Sequence, residues 1–257
     1  DFPNKFLQLF QKRSIKTSYL QKSTSLPSMS WHAIYKPDMR NRDTVKLNLN
    51  ALSKFSPILP EECIKKQYAA IGSFMPIIQL QVVEQLKSCA KLIILDTMSY
   101  WITNCREDLM KVIPKVDILS IKDTEARLLT NEFSLAKAAH IILEYGPKYL
   151  IINKGENGIL LFHKKLVFFA PSLPLSISFD PTGMCDSFIG GFVGYLSKTD
   201  DTTFENMKRA VIYGSSISSL GMEQFGTLNL ENLTEDQIES RVQEFIDLVQ
   251  FEINLDE

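Results

Sequence analysis

Short apolar runs alternate with segments whose apolar positions recur every three or four residues along most of this chain. Gln67 to Gly72 reads as a strand, and Pro76 to Cys89 as a helix with Ile77, Leu80, Val82, Val83 and Leu86 on its inner face. Lys91 to Asp96, Val116 to Ile121 and Lys148 to Asn153 are near-continuous apolar strands, the pattern of parallel strands covered on both faces. Between the last two, Ser134 caps a helix carrying Leu135, Ala138, Ala139 and Ile142, which Gly146-Pro147 ends. Strands alternating with helices predict an α/β chain built on a doubly wound, mostly parallel sheet. In such sheets the ligand lies beyond the carboxyl ends of the strands.

Other segments follow other periods. From Ser30 to Leu49 the alternation is of period two, with Trp31, Ala33 and Tyr35 on one face and Val45, Leu47 and Leu49 after the Lys36-Pro37-Asp38 turn. This predicts a small, half-covered β flap. Asn4 to Arg13 is an amphipathic helix entered through Pro3. Asn157-Gly158 before Ile159 to Phe162 marks a hairpin. A helix opens near Cys185 and runs to Leu196, another spans Phe204 to Leu220, and a third spans Thr234 to Phe251 with Ile238, Val242, Phe245, Ile246 and Val249 on one stripe.

Composition narrows the class. The 257 residues, 45% hydrophobic, suffice for one domain over 1–257 with a substantial core. A formal net charge of −2 leaves no electrostatic footprint for nucleic acid or an anionic membrane, and no apolar run is long enough to span a bilayer. Cys63, Cys89, Cys105 and Cys185 lie far apart without metal-ligand spacing, as free thiols do in a reducing, cytoplasmic compartment. The start at Asp1-Phe2-Pro3, without Met, reads as a chain incomplete at its N-terminus.

Several polar residues sit where chemistry is possible. Asp186 falls in the first turn of the helix opening near Cys185, where it either stabilises the helix N-terminus or accepts a proton from a hydroxyl attacking a phosphate held there. Cys185 has either a lowered pKa from the same helix end or no reactivity at all. Asp96 ends one apolar strand, and Asp123 after Lys122 is an N-cap with Glu125 in the first turn. Arg40, Asn41, Arg42 and Asp43 form either a solvated hairpin tip or a contact to a polar substrate. His32, His140 and His163 are isolated and read as structural or surface residues.

The run Asp180-Pro181-Thr182-Gly183-Met184-Cys185-Asp186-Ser187-Phe188-Ile189-Gly190-Gly191-Phe192 resembles the C-terminal signature of the ribokinase-like (PfkB) carbohydrate kinases, Asp-Thr/Pro-x-Gly-Ala-Gly-Asp-x-Phe-x-Gly-Gly-Phe. The resemblance implies a three-layer α/β/α sandwich with a β lid at about residues 28–52. It implies ATP-dependent phosphorylation of a sugar or nucleoside hydroxyl, with Asp186 as general base and the amides of Gly183, Met184, Cys185 and Asp186 as the anion hole. Lys122-Asp123-Thr124-Glu125 is similar to the family's Asn-x-x-Glu motif, which implies that Glu125 orders Mg²⁺ through water. Asn153, Gly155, Thr182 and Gly183 are then placed at the nucleotide phosphates, Gly226 at the adenine slot, and Arg40 and Arg42 over the acceptor. Close packing explains the small residues Ser215, Ser216, Ser218 and Ser219 equally well. A homodimer through the lid is the assembly the resemblance suggests. Three departures, Met184-Cys185 for Ala-Gly, Lys122 for Asn, and no Gly-rich substrate segment upstream, motivate an alternative: a kinase-shaped subunit or regulator with weak or no catalysis.

Overall fold

The computed structural model describes residues 2–39, 42–61, 68–86, 89–176 and 178–250. Helix α1 (Asn4–Lys12) precedes an antiparallel pair, β1 (Ser30–Tyr35) and β2 (Arg42–Asn48). There follow β3 (Tyr68–Ile71), α2 (Pro76–Leu86), β4 (Leu92–Asp96), α3 (Ser99–Asn104), α4 (Arg106–Val112) and β5 (Ile118–Lys122). Next come α5 (Asp123–Thr130), α6 (Leu135–Glu144), β6 (Tyr149–Asn153), β7 (Ile159–His163) and β8 (Leu166–Ala170). The chain continues with α7 (Met184–Thr199), α8 (Phe204–Met222), α9 (Leu228–Glu231) and α10 (Glu235–Val249).

Strands β3 to β8 form one sheet in chain order, parallel from β3 to β6 and antiparallel at β7 and β8. Side chains of successive strand residues point to opposite faces, so Ile93 and Leu95 enter one core while Leu92 and Ile94 enter the other. The first core is closed by α2 to α6 through Val83, Ile102, Leu109, Leu129 and Ile142. The second is closed by α7 and α8 through Phe188, Phe192, Leu196, Met207 and Val211. The three-layer sandwich expected from the sequence is therefore present. Because the strands stay in chain order, the crossover helices share one face and the other face is left to α7 and α8. Each fully buried Leu, Ile or Phe contributes roughly 1.5–3 kcal/mol.

The helix bearing the signature is fixed by close backbone contact. A Cβ placed on Gly214 would lie 2.6 Å from Phe188 O, and one on Gly191 would lie 3.0 Å from Gly214 Cα. Only glycines let α7 and α8 approach so closely.

The β flap forms with Trp31, Ala33 and Tyr35 half-buried on its inner face. Val45 does not join Leu47 there as expected. The register shifts between His32 and Ala33, leaving Val45 without a partner and 55% exposed, since one extra residue reverses the alternation that follows. The closing helix also departs from its pattern. Of the expected stripe only Phe245 is buried, while Ile246 and Val249 face outward. Arg241 takes the inner position, donating to Ser219 Oγ at 2.9 Å and pairing with Glu223 at 2.6 Å. Gln67, Cys63, Phe251 and the 87–88 end of the expected second helix lie outside the described residues. No described helix is long and apolar enough to cross a membrane.

Candidate active site

The carboxyl ends of the parallel strands open into a cleft of about 270 Å³ that the β flap covers. Asp96, Lys122 and Asn153 are the last residues of β4, β5 and β6, and Lys122 and Asn153 are register partners. Opposite them stands the first turn of α7. The cleft gathers Asp186, Gly183, Met184, Cys185, Thr182, Glu125, Asn153 and Arg42, residues drawn from four separate stretches of sequence. Gly155 lines a second, smaller cavity of about 40 Å³, with Asn153, Met184, Ser215, Ser218 and Ser219. Gly226 lines neither cavity: its N–H is spent on Asp180 Oδ2 at 3.1 Å. Arg40 and Asn41 lie outside the described residues.

The turn before α7 is organised by Asp180. Its Oδ1 accepts from Thr182 N at 2.9 Å while Oδ2 holds Gly226, and despite the cost of burial these hydrogen bonds keep its carboxyl below the usual carboxylate range. Gly183 then adopts φ 79°, a left-handed conformation at the helix N-cap. Nothing lies within 4 Å of a Cβ there, so the demand for glycine is conformational and not steric. Met184 and Cys185 are the first two helical residues, and they leave this geometry intact because the special backbone angle falls on Gly183. Ser218 Oγ donates to Met184 O at 3.1 Å, so the small face of α8 both packs the first turn of α7 and lines the smaller cavity.

Charge in the cleft is unbalanced toward the acidic. Burial pushes Asp96 up to about 8, and the neighbouring Asp186 and Glu125 carboxylates push the same way. Burial also raises Asp186, against its own backbone N–H and the Arg42 guanidinium. For Cys185 the helix N-terminus does not prevail: burial, aided by Asp96, Glu125 and Asp186, drives the thiol up to about 12. It is not a reactive thiolate.

Glu125 is 3% exposed, and its carboxylate is already engaged. Oε1 accepts from Ser99 N at 3.0 Å and Ser99 Oγ at 3.2 Å, and Oε2 accepts from Lys122 N at 2.9 Å. That last bond closes the helix one residue earlier than expected: the N-cap of α5 is Lys122, and Asp123 lies within the first turn. Among the described residues no group of three acidic, His or Cys side chains offers a direct metal cage. The donor set nevertheless suits a hydrated divalent ion held mainly by phosphates, since the carboxyl groups of Asp96, Glu125 and Asp186 outnumber the two cations, Lys122 and Arg42, and Glu125 keeps a lone pair for a water.

Of the residues that join the flap to this site, Arg42 and Thr182 were candidates in the sequence and Tyr35 was not. Tyr35 OH accepts from Arg42 Nη1 at 2.9 Å and from Thr182 Oγ1 at 3.2 Å, across 147 positions of chain. Arg42 also stacks over Trp31, 4.6 Å from the ring centroid. Helix α3, absent from the predicted elements, brings Trp101 into the cleft beside Thr97. Trp101 follows the strand-end Asp96 by five residues, a hint of its place at the carboxyl edge of the sheet; Tyr35 carried no such signal.

Residues 1–236 match the family described as pfkB family carbohydrate kinase. The chain is 29% identical over 205 residues to the cytidine kinase of Thermococcus kodakarensis, covering 77% of this chain and 71% of that one. The ribokinase of Giardia lamblia superposes with a TM-score of 0.79 at 16% identity, over 95% of this chain and 80% of that one. The aminoimidazole riboside kinase of Salmonella enterica, solved with aminoimidazole riboside and an ATP analog, superposes with a TM-score of 0.74 at 15% identity, over 94% and 82%.

Proposed function

The chain belongs to the pfkB family of carbohydrate kinases, whose members are phosphotransferases acting on hydroxyl groups, and on that premise we propose that it transfers the γ-phosphoryl group of ATP to a hydroxyl of a sugar or nucleoside. The kinase unit is one domain over 1–257, with the β flap at about 28–52 as its lid. One observation carries this reading: Asp186 stands in the first turn of α7, on the wall of a cleft bounded by the strand ends and the lid.

In this reading the acceptor lies under the lid and the nucleotide reaches it from the smaller cavity, with Met184 and Asn153 lining both. Asp186 takes the proton of the attacking hydroxyl, and its raised pKa brings it nearer the operating range of a general base. The N–H groups of the first turn of α7 and the positive end of its dipole hold the transferring phosphoryl group. Arg42 faces Asp186 and adds a charge that stabilises the ionised base. Lys122, half-buried on the cleft wall, contributes a second cation toward the phosphates. Glu125 would hold Mg²⁺ through water, and a bound Mg²⁺ supplies charge neutralisation on the phosphate oxygens.

The test is phosphoryl transfer from Mg²⁺·ATP to a panel of sugars and nucleosides, with Asp186→Asn alongside. Loss of roughly 10²–10⁴ in kcat with nucleotide binding retained is the expected result. A variant as active as the parent would remove Asp186 from the role of base. Nucleotide binding without transfer to any acceptor would favour the non-catalytic alternative.

A further inference from the structure

Three of the six buried polar atoms that lack partners among the described residues gather in one place. The six are Ser73 Oγ, Gln79 Oε1, Thr97 Oγ1, Trp101 Nε1, Ser215 Oγ and Arg241 Nε. Ser73, Thr97 and Trp101 all line the cleft under the lid, and Thr97 and Trp101 are each only 4% exposed. A buried donor or acceptor without a partner is costly, so native chains satisfy nearly all of them. Three converging on one cleft mark the place where a ligand supplies the missing partners.

Their chemistry is specific. An indole N–H only donates, so Trp101 requires an acceptor on the ligand; the Ser73 and Thr97 hydroxyls do either. Asp96, 8% exposed beside Thr97, adds a carboxyl to the same floor. A hydroxylated ring meets this set. The facing wall is mostly of another kind: Met29, Trp31, Leu47, Leu49 and Leu52 of the lid, with Phe74, and Arg42 is its one charged member, stacked over Trp31 and turned toward Asp186. Trp31 differs from Trp101 in that its N–H is already spent on Thr44 Oγ1 at 3.2 Å, so it offers the cleft ring surface and no free donor. A free monosaccharide filling this space would turn hydroxyls toward side chains that cannot bond them.

We propose that the acceptor is a nucleoside and not a free sugar, its ribose on Ser73, Asp96, Thr97 and Trp101 and its base against the apolar lid wall, with Thr97 and Trp101 as specificity-determining residues. This rests on the kinase reading of the cleft and assigns its substrate class.

The experiment is calorimetric titration of the nucleotide-free chain with cytidine, uridine, adenosine and inosine against ribose, fructose and glucose, repeated on Thr97→Val and Trp101→Phe. Trp101→Phe keeps an aromatic ring and removes the N–H; Thr97→Val keeps the shape and removes the hydroxyl, and serves alone if the first variant does not fold. At least one nucleoside should bind tenfold or more tightly than any free sugar. Each variant should weaken that binding about tenfold, while ADP affinity on the same preparation stays within twofold of the parent. A free sugar binding as tightly as the nucleosides, no nucleoside binding, or full nucleoside affinity in folded variants would overturn the proposal. Nucleoside binding without phosphoryl transfer would uphold the nucleoside site on these residues and strike the kinase reading instead.

Discussion

The hydroxyl of Thr182 donates to that of Tyr35 at 3.2 Å, tying the lid to the turn that presents the first N–H groups of α7. The same Tyr35 oxygen receives Arg42 Nη1 at 2.9 Å, so one phenol holds both the loop before α7 and the cation that faces Asp186. Removing it should cost positioning more than folding. Tyr35→Phe is expected to lose about 1 kcal/mol per hydrogen bond, a fall of roughly 5–30-fold in kcat/KM. Thermal denaturation should show little change, because Tyr35 is only half-buried. Combining it with Thr182→Val should add less than the sum of the two, since both remove one bond.

Stability should fall with rising pH because of Asp96. An unfolded Asp titrates near 3.9, whereas in the folded chain burial pushes this carboxyl up to about 8. Between those values the folded state holds a proton that the unfolded state has lost. Its contribution is therefore fully favourable below about pH 4 and declines as pH rises toward 8, by at most about 1.4 kcal/mol per pH unit. Urea denaturation of the ligand-free chain at pH 6 and pH 8 should show this decline, and Asp96→Asn should flatten it. An equal slope in the variant would assign the dependence to other groups.

Two glycines with the same backbone sign should respond differently to alanine. A Cβ on Gly158 (φ 79°) would lie 2.2 Å from Ala170 O in the neighbouring strand, whereas one on Gly183 (φ 79°) meets nothing within 4 Å. Gly158→Ala is expected to cost roughly 2–5 kcal/mol, from the left-handed conformation plus overpacking. Gly183→Ala should cost only about 1–2 kcal/mol. In Tm this is on the order of 10 °C against a few degrees. Calorimetry of both variants checks the order.

Lys122 is expected to compete with a bound metal for the acidic side of the cleft. Its ammonium stabilises the Asp96 carboxylate, and Glu125 lies within the same cluster. Lys122→Asn should therefore lower the Mg²⁺ concentration giving half-maximal transfer, by a factor of roughly 3–10 for a loss of like-charge repulsion of about 1 kcal/mol at a partly solvated site. Chelation of Mg²⁺ should abolish transfer in parent and variant alike. A raised Mg²⁺ requirement in the variant would mean that Lys122 helps to assemble the metal site.

The layers of this protein were legible in its one-dimensional pattern, because burial on both faces of a sheet demands apolar runs and helices packed on it demand apolar stripes. The strand ends at Asp96 and Asn153, the cap at Ser134 and the helix bearing Asp186 all lie where local residue chemistry puts them. What local chemistry could not settle was any contest between elements. Cys185 was open to either a helix dipole or inert packing, and burial against strand ends remote in sequence decides for the second. Val45 was displaced by a one-residue shift that only strand pairing creates. The Tyr35–Thr182 bond and the cleft placement of Trp101 depend on how lid, strands and α7 meet. The sequence by itself determined which elements form and which residue types end them. Only the tertiary structure decided which charges are buried together and which polar atoms are left for a ligand, because both depend on distances between segments that the pattern along the chain does not encode.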